Sequence, residues 1–264
     1  MYDLEFVKPK TVADAVAALA DDPEAMALGG GQTLIPTMKQ RLAAPSRLVS
    51  LTGIPEMRGV CVGDDGALCI GGATPHADVA RRARTIFPAL AGLAGRIGDP
   101  AVRNRGTIGG SLANNDPAAC YPAAALACGA TIRTDRREIV ADAFFEGLFA
   151  TALEDGEIVT ELRFPVPDAA AYCKMVQPAS RFALVGVFLA RFGQDVRVAV
   201  TGASGDGVFR WSDAEAALAE RFLPDALENI TVADDRMISD HHGPAAYRAH
   251  LVKVLTGRAV AEAG

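Results

Sequence analysis

Apolar positions recur at helical spacing over residues 11–20, where Val12, Ala15, Val16 and Leu19 share one face and Thr11 is placed to cap the first turn. Asp21, Asp22 and Pro23 end that helix, and residues 6–10 before it read as a short entry segment. Met26, Ala27 and Leu28 form a brief apolar run, read as a buried strand feeding Gly29, Gly30 and Gly31. Helical spacing resumes over residues 34–41, with Pro36 near the start and Lys39 and Arg41 facing solvent. Residues 47–52 read as the next strand, and Gly53 and Pro55 break it. Alternation over residues 60–62 and 67–71, around Gly63, Asp64, Asp65 and Gly66, predicts a hairpin. Helices follow over residues 74–83 and 89–96. His76 lies near the start of the first and is read as a turn residue, since no second histidine or carboxylate is spaced to form a metal pair with it.

Further along, residues 121–128 are small and apolar and suit a packed helix, while residues 129–134 and 136–141 predict a second hairpin. Residues 144–149 are apolar. Residues 157–164 alternate as a strand up to Pro165, Val166 and Pro167, the strongest domain boundary in the chain. Beyond it, residues 170–176, 184–192 and 196–202 predict strands of a new antiparallel sheet, and residues 213–222 and 243–255 predict helices. His241 and His242, beside Gly243 and Pro244, read as a solvated turn.

Composition narrows the functional classes. At 264 residues and 50% hydrophobic, the chain can bury a substantial core. A net charge of −6 with no long basic run argues against nucleic acid as a partner. Cys61, Cys69, Cys120, Cys128 and Cys173 form no CxxC pair and no Cys/His cluster, which excludes a structural zinc site and fits a reducing compartment. The first residues lack a basic region followed by an apolar run, and no uncharged apolar segment approaches ~18 residues. The expectation is a cytoplasmic protein without a transmembrane segment.

The chemistry concentrates between Gly98 and Pro122, where Gly106, Gly109 and Gly110, Arg103 and Arg105, and Thr107 and Ser111 interrupt an otherwise apolar stretch. Glycines this dense admit positive φ and let a backbone approach a ligand closely. Successive N–H groups in such turns form concave anion sites, and the neighbouring hydroxyls add donors suited to a diphosphate. Gly29, Gly30 and Gly31, running into Gln32 and Thr33, repeat the theme, so the two stretches are expected to converge on one ligand. Taken singly, each also reads as a tight strand-to-helix turn. No lysine follows the glycines as in a phosphate loop, and the Gly-x-Gly-x-x-Gly dinucleotide fingerprint is absent.

In this order and separation the two stretches resemble the flavoprotein (medium) subunit of the molybdenum hydroxylases, the carbon monoxide dehydrogenase and xanthine dehydrogenase group. Residues 28–34 correspond to the family's first FAD pyrophosphate motif and Thr107, Ile108, Gly109 and Gly110 to its second. Ala101 to Gly106 corresponds to the pattern Gln-Val-Arg-x-Arg-Gly, and residues from about 170 onward to the C-terminal domain. The resemblance implies an α+β protein: a two-subdomain FAD-binding fold of the PCMH type, with an N-terminal subdomain 1–55 and a second subdomain 56–167, followed by a C-terminal antiparallel sheet with helices over 168–264.

It further implies FAD contacts at Ala27, Leu28, Gly29, Gly30, Gly31, Gln32, Thr33, Leu34, Ile97, Thr107, Gly109, Gly110 and Ser111, at the backbone near Ile158 and Val159, and at Lys174. The pyrophosphate is expected between the glycine turns, on the N–H groups of Gly30, Gly31, Gly109 and Gly110 and the hydroxyls of Thr33, Thr107 and Ser111. Cys120 stands where many members have an aspartate contacting FAD; Asp116 is a nearby candidate contact without being its equivalent. Gln32 replaces the common His or Asn, and the histidine that binds flavin covalently elsewhere in the wider fold is absent, which implies non-covalent FAD. Lys174 is expected either at the flavin ring or as a surface lysine on a strand. Arg103 and Arg105 either neutralise phosphate or pair with Asp99 and Asp116.

In the family, a large subunit hydroxylates substrate at a molybdenum cofactor, and electrons pass through 2Fe-2S clusters of a small subunit to FAD and then to a final acceptor. The resemblance therefore implies an oxidoreductase subunit with no general acid or base of its own, working in a heterotrimer that pairs into a dimer of heterotrimers. The alternatives are a stand-alone NAD(P)H-dependent flavin oxidoreductase of the same fold and a non-enzymatic assembly module.

Overall fold

The computed structural model describes residues 2–264. Its first unit is a small parallel sheet with helical crossovers: β1 (Glu5–Val7), α1 (Val12–Ala20), β2 (Ala25–Leu28), α2 (Leu34–Lys39) and β3 (Arg47–Ser50), in strand order β1-β3-β2. The Thr11 hydroxyl caps α1, accepting from the Asp14 N–H at 3.1 Å. Ala15 and Leu19 of α1 pack on Val49, Leu51 and Ile54. Met26, expected in a buried strand, is 42% exposed. It pairs with Leu48, one residue out of phase with Val49, so alternation turns it to the face away from α1 on an edge strand.

The second unit comprises β4 (Val60–Val62), β5 (Leu68–Gly71), α3 (His76–Arg82), α4 (Pro88–Gly95), α5 (Pro100–Arg105), α6 (Ile108–Asn114), α7 (Tyr121–Cys128), β6 (Thr131–Thr134), β7 (Glu138–Val140), α8 (Ala141–Phe144), β8 (Phe145–Gly147), β9 (Ala150–Thr151) and β10 (Val159–Phe164). Five of its strands form an antiparallel sheet in the order β4-β5-β10-β6-β7. Every residue of α7 is buried. Pro122 is tolerated because it lies in the first turn, and Gly129 at φ +58 closes the helix in the left-handed conformation.

The third unit is a four-stranded antiparallel sheet of β11 (Ala169–Val176), β12 (Ala183–Phe192), β13 (Asp195–Thr201) and β14 (Phe209–Arg210), with α9 (Ser212–Glu220) and α10 (Ala245–Ala263). Its helix α10 runs past the expected end at 255, because Ala259 and Val260 continue the apolar face begun by Leu251, Val252 and Leu255. The opposite face of the sheet shares a core with α7: Tyr172, Phe188, Ala190 and Ala199 pack in the same cluster as Ala123, Ala124 and Ala127. Alanines suit that face because α7 packs closely on β12 and β13, with α4, α6 and α8 around it.

That close packing generates a test. Ala124→Leu adds bulk where no side chain has room to move and should cost about 1–3 kcal/mol, seen as a lower urea midpoint; an unchanged midpoint would show that α7 is loosely packed.

Candidate functional site

Gly29 and Gly30 follow β2 at the C-terminal edge of the parallel sheet and lie directly on the stretch from Arg105 to Gly110. A Cβ built on Gly29 would sit 2.7 Å from Thr107 Oγ1 and 3.7 Å from Gly110 Cα. A Cβ on Gly30 would overlap the Arg105 carbonyl and Gly106 Cα. The two glycine stretches therefore meet backbone to backbone, along a seam that admits no side chain. Gly31, at φ +70, turns the chain into α2, and the Gln32 side chain donates back to the Gly30 carbonyl at 3.3 Å. The Leu28 carbonyl accepts from the Leu51 N–H, which fixes the start of the turn. The N–H groups of Gly29, Gly30, Gly31, Gln32 and Thr33 have no acceptor among the described residues. Such a run of free amides is an anion-binding concavity. The Thr33 and Ser111 hydroxyls beside it make no hydrogen bond among the described residues, and Leu34 opens α2.

The second stretch is not the positive-φ turn expected of it. Gly106 is extended (φ −59, ψ 137), and Gly109 and Gly110 occupy the first turn of α6, capped by Thr107, whose Oγ1 accepts from the Gly110 N–H at 3.2 Å. These glycines are needed for close approach. A Cβ on Gly109 would sit 2.7 Å from the Gly72 carbonyl, to which the Gly109 N–H donates at 2.9 Å. Gly72 in turn leaves no room for a Cβ against the Val159 carbonyl, and its N–H donates to Thr160 at 2.7 Å. The expectation that Gly109 and Gly110 offer free amides is thus corrected: both amides have protein partners, and the free ones belong to the first stretch. For Gly110 the nearest atom to an added Cβ is Thr107 Oγ1, at 2.9 Å, and no other atom lies within 4 Å.

A short antiparallel bridge supports the seam from beneath. Pro75 pairs with Thr107, the His76 N–H donates to the Gly106 carbonyl at 2.9 Å and the Ile108 N–H to the Thr74 carbonyl at 3.1 Å. His76 is not a turn residue: it begins α3, is 5% exposed, and its ring lies against Gly106 and 5.3 Å from the ring of Tyr121. Burial, aided by the charge of Arg103, pushes its imidazole down to about 4, so it is neutral near pH 7. Its Nδ1 and the Tyr121 hydroxyl have no hydrogen-bond partner among the described residues. Sequence reasoning missed both His76 and Gly72; the Gly71-Gly72 pair closing a strand was the available signal.

The arginines do not pair with Asp99 or Asp116. Arg103 donates to the Ile97 and Gly98 carbonyls at 2.9 and 3.0 Å. Asp99 caps α5 by accepting from the Val102 N–H, and Asp116 accepts from the Ala118 N–H at 2.8 Å within its own turn. Arg105 is exposed at the rim of the seam. Ile158 and Val159 are buried at the start of β10. The turn before them is held by Glu157, which meets Arg137 at 3.0 Å, the Glu154 N–H at 2.8 Å and the Thr134 hydroxyl at 2.7 Å. Those bonds, Arg137 foremost, hold the Glu157 carboxyl down to about 2.

Lys174 is not a surface lysine. It is 8% exposed and donates to the Arg96 carbonyl at 2.9 Å, the Arg181 carbonyl at 3.0 Å and Cys120 Sγ at 3.6 Å. Ile97 adjoins this hub, next to Arg96. The structure thus gathers Gly29 to Leu34 with Thr107, Gly109, Gly110 and Val159 around the seam, and Ile97 with Lys174 and Cys120 at the hub. Ala27 remains on the exposed part of β2, and Asp116 is turned into its own loop. No group of three or more His, Cys, Asp or Glu side chains arranged to hold a metal occurs among the described residues.

Comparison with known proteins adds to this geometry. The profile described as the FAD binding domain in molybdopterin dehydrogenase matches residues 2–167. The medium subunit of nicotine 6-hydroxylase from Paenarthrobacter nicotinovorans is 34% identical over 278 residues, covering 99% of this chain and 97% of that one. The medium chain of glyceraldehyde dehydrogenase from Sulfolobus acidocaldarius is 32% identical and covers 99% of both. Among solved structures, reconstituted CO dehydrogenase from Oligotropha carboxidovorans contains a chain that superposes with a TM-score of 0.88 at 30% identity, covering 99% of this chain and 98% of its own.

His76 yields a pH-dependent test. Its value of about 4 in the folded protein lies below the ordinary 6.5, so as pH falls the unfolded chain takes up the proton first. The His76 contribution should fall from about pH 6.5 to about 4, by on the order of 3 kcal/mol, and level off below that. Urea unfolding at steps between about pH 7 and 4 should show His76→Leu losing that much less than wild type; parallel losses would contradict a neutral, buried imidazole.

Proposed function

The chain belongs to the family of FAD-binding domains of molybdopterin dehydrogenases, as an FAD-binding medium subunit of the molybdenum hydroxylase type, and on that premise we propose that it relays electrons through FAD between partner clusters and a final acceptor. The observation that carries this reading is the run of unpaired amides from Gly29 to Thr33 beside a seam with no side chains. Those amides would hold the diphosphate, with the Thr33 and Ser111 hydroxyls adding donors and Arg105 at the rim adding positive charge. Ile97 and Lys174 would lie at the flavin end. Bound FAD supplies one- and two-electron exchange, while the protein supplies binding, orientation and charge. Gln32, in place of a histidine, forms no covalent link.

Partner subunits would supply the rest. The buried cysteines Cys69 and Cys173 lie on β5 and β11, Cys120 and Cys128 at the two ends of α7, and Cys61 is exposed. A small iron–sulfur subunit and a large molybdenum-cofactor subunit are the proposed partners, in a heterotrimer that pairs into a dimer of heterotrimers. Relatives named for nicotine and glyceraldehyde match this chain over nearly its full length, and a CO dehydrogenase chain shares its fold, which supports a substrate chosen by another subunit.

Two glycine variants separate ligand space from scaffold space. Gly110→Val places methyl groups toward the proposed diphosphate and should weaken FAD binding about 100-fold or more, roughly 2.7 kcal/mol, while displacing only the Thr107 hydroxyl of the scaffold and so lowering the FAD-free midpoint less than Gly30→Ala does. Gly30→Ala meets the Arg105 backbone and should lower the FAD-free midpoint itself. Flavin released by acid precipitation measures both binding and the absence of a covalent link; normal flavin content in Gly110→Val would remove the diphosphate from the seam.

The relay has a separate test. Under anaerobic conditions a hydroxylase substrate should leave the oxidised-flavin band of the purified chain unchanged and bleach it after reconstitution with the two partner subunits. Bleaching of the chain alone by NAD(P)H or by substrate would replace the relay with a stand-alone flavin oxidoreductase.

A further inference from the structure

Lys174 joins the third unit to the second, and none of its ammonium's three partners is a carboxylate. Two are backbone carbonyls, of Arg96 at 2.9 Å and Arg181 at 3.0 Å, and the third is the Cys120 sulfur at 3.6 Å. Arg96 brings a second cation to the same place. Its guanidinium donates to the Tyr172 carbonyl at 2.9 Å and the Lys174 carbonyl at 3.4 Å, and it stands 5.7 Å from the centre of the Tyr172 ring. The nearest carboxylate is Glu262, which bonds Cys173 on the other face of β11, where Arg258 also stands. Burial holds the Tyr172 hydroxyl well above its ordinary range and pushes the Cys173 thiol up to about 12. Buried charges are ordinarily paired, yet among the described residues neither the Lys174 ammonium nor the Arg96 guanidinium bonds a carboxylate.

We infer that Cys120 tunes the reduction potential of the flavin held beside Lys174, because a thiol at this position, where a carboxylate would fit, leaves the ammonium charge available to the reduced ring. The inference rests on the FAD reading above and on the placement of the flavin end at Ile97 and Lys174. Reduction of the flavin by two electrons from the partner clusters, with uptake of one proton, leaves one added negative charge on the ring. A nearby cation whose charge is not cancelled favours that product. Cys120 acts through Lys174 and is a positioning residue for its charge.

The test is an anaerobic spectroelectrochemical titration of the full chain loaded with FAD. Cys120→Asp should lower the midpoint potential by at least a tenfold change in the oxidised-to-reduced ratio, about 30 mV for a two-electron couple. Cys120→Asn, similar in size but uncharged, should stay within about twofold of wild type. Lys174→Met should also move the potential negative and Lys174→Arg should hold it, so the charge is still measured if the Asp variant does not retain flavin. Coincident potentials for the Asp and Asn variants, or an unchanged potential in Lys174→Met, would overturn the inference. A wild-type chain that takes up no FAD overturns the functional reading as well, and is recognised by the missing flavin absorbance before any potential is measured.

Discussion

Close backbone contact is the constraint on which the rest of the structure depends. Gly30 rests on Arg105 and Gly106, Gly109 on Gly72, and Gly72 on Val159, each without room for a β-carbon. This stack brings the edge of the parallel sheet, the first turn of α6 and the start of β10 into one layer. Hydrogen bonds hold the layer through Gly72, Thr74 and His76, so its amides on the α6 side are used internally. Among the described residues the amides of the first stretch remain unpaired. Structural glycines and ligand-facing amides thus separate into two chain segments that touch.

The surrounding scaffold keeps that layer rigid by different means on its two flanks. Below it, the neutral imidazole of His76 fills the space under Gly106, where a charged group would have to be desolvated. Beside it, Glu157 closes the turn before Ile158 and Val159 with an arginine, a hydroxyl and an amide. On the far flank Lys174 reaches from the third unit to the end of α4 and across to the hairpin loop at Arg181, itself at φ +61. A single side chain therefore sets the spacing between a helix terminus and a loop from different sheets.

Much of this was legible in the sequence, for physical reasons that also explain the misses. Amphipathic spacing marked α1 and its Thr11 cap, and alternation marked the β4–β5 and β6–β7 hairpins, because those signals depend on local geometry. The convergence of the glycine stretches was legible from composition and resemblance. The role of each glycine was not: whether Gly109 serves a ligand or a neighbouring backbone depends on Gly72, which sequence proximity does not connect to it. Met26 was misjudged because apolar character does not say which strand forms a sheet edge. His76 was misjudged because its burial comes from Tyr121 and the Gly106 segment, both distant in sequence.

The profile match ends at residue 167, where two prolines separate β10 from β11, yet the apolar interior does not end there. Tyr172, Phe188, Ala190 and Ala199 complete the wall against which α7 rests. A polypeptide cut at Pro167 would keep every glycine of the seam and expose the outer side of its most apolar helix to water. Such a fragment would be sticky, self-associating and dependent on chaperones. Recombination between relatives that exchanges the third unit must therefore preserve an alanine-to-aromatic fit across the junction, which makes this part of the chain a barrier to modular exchange.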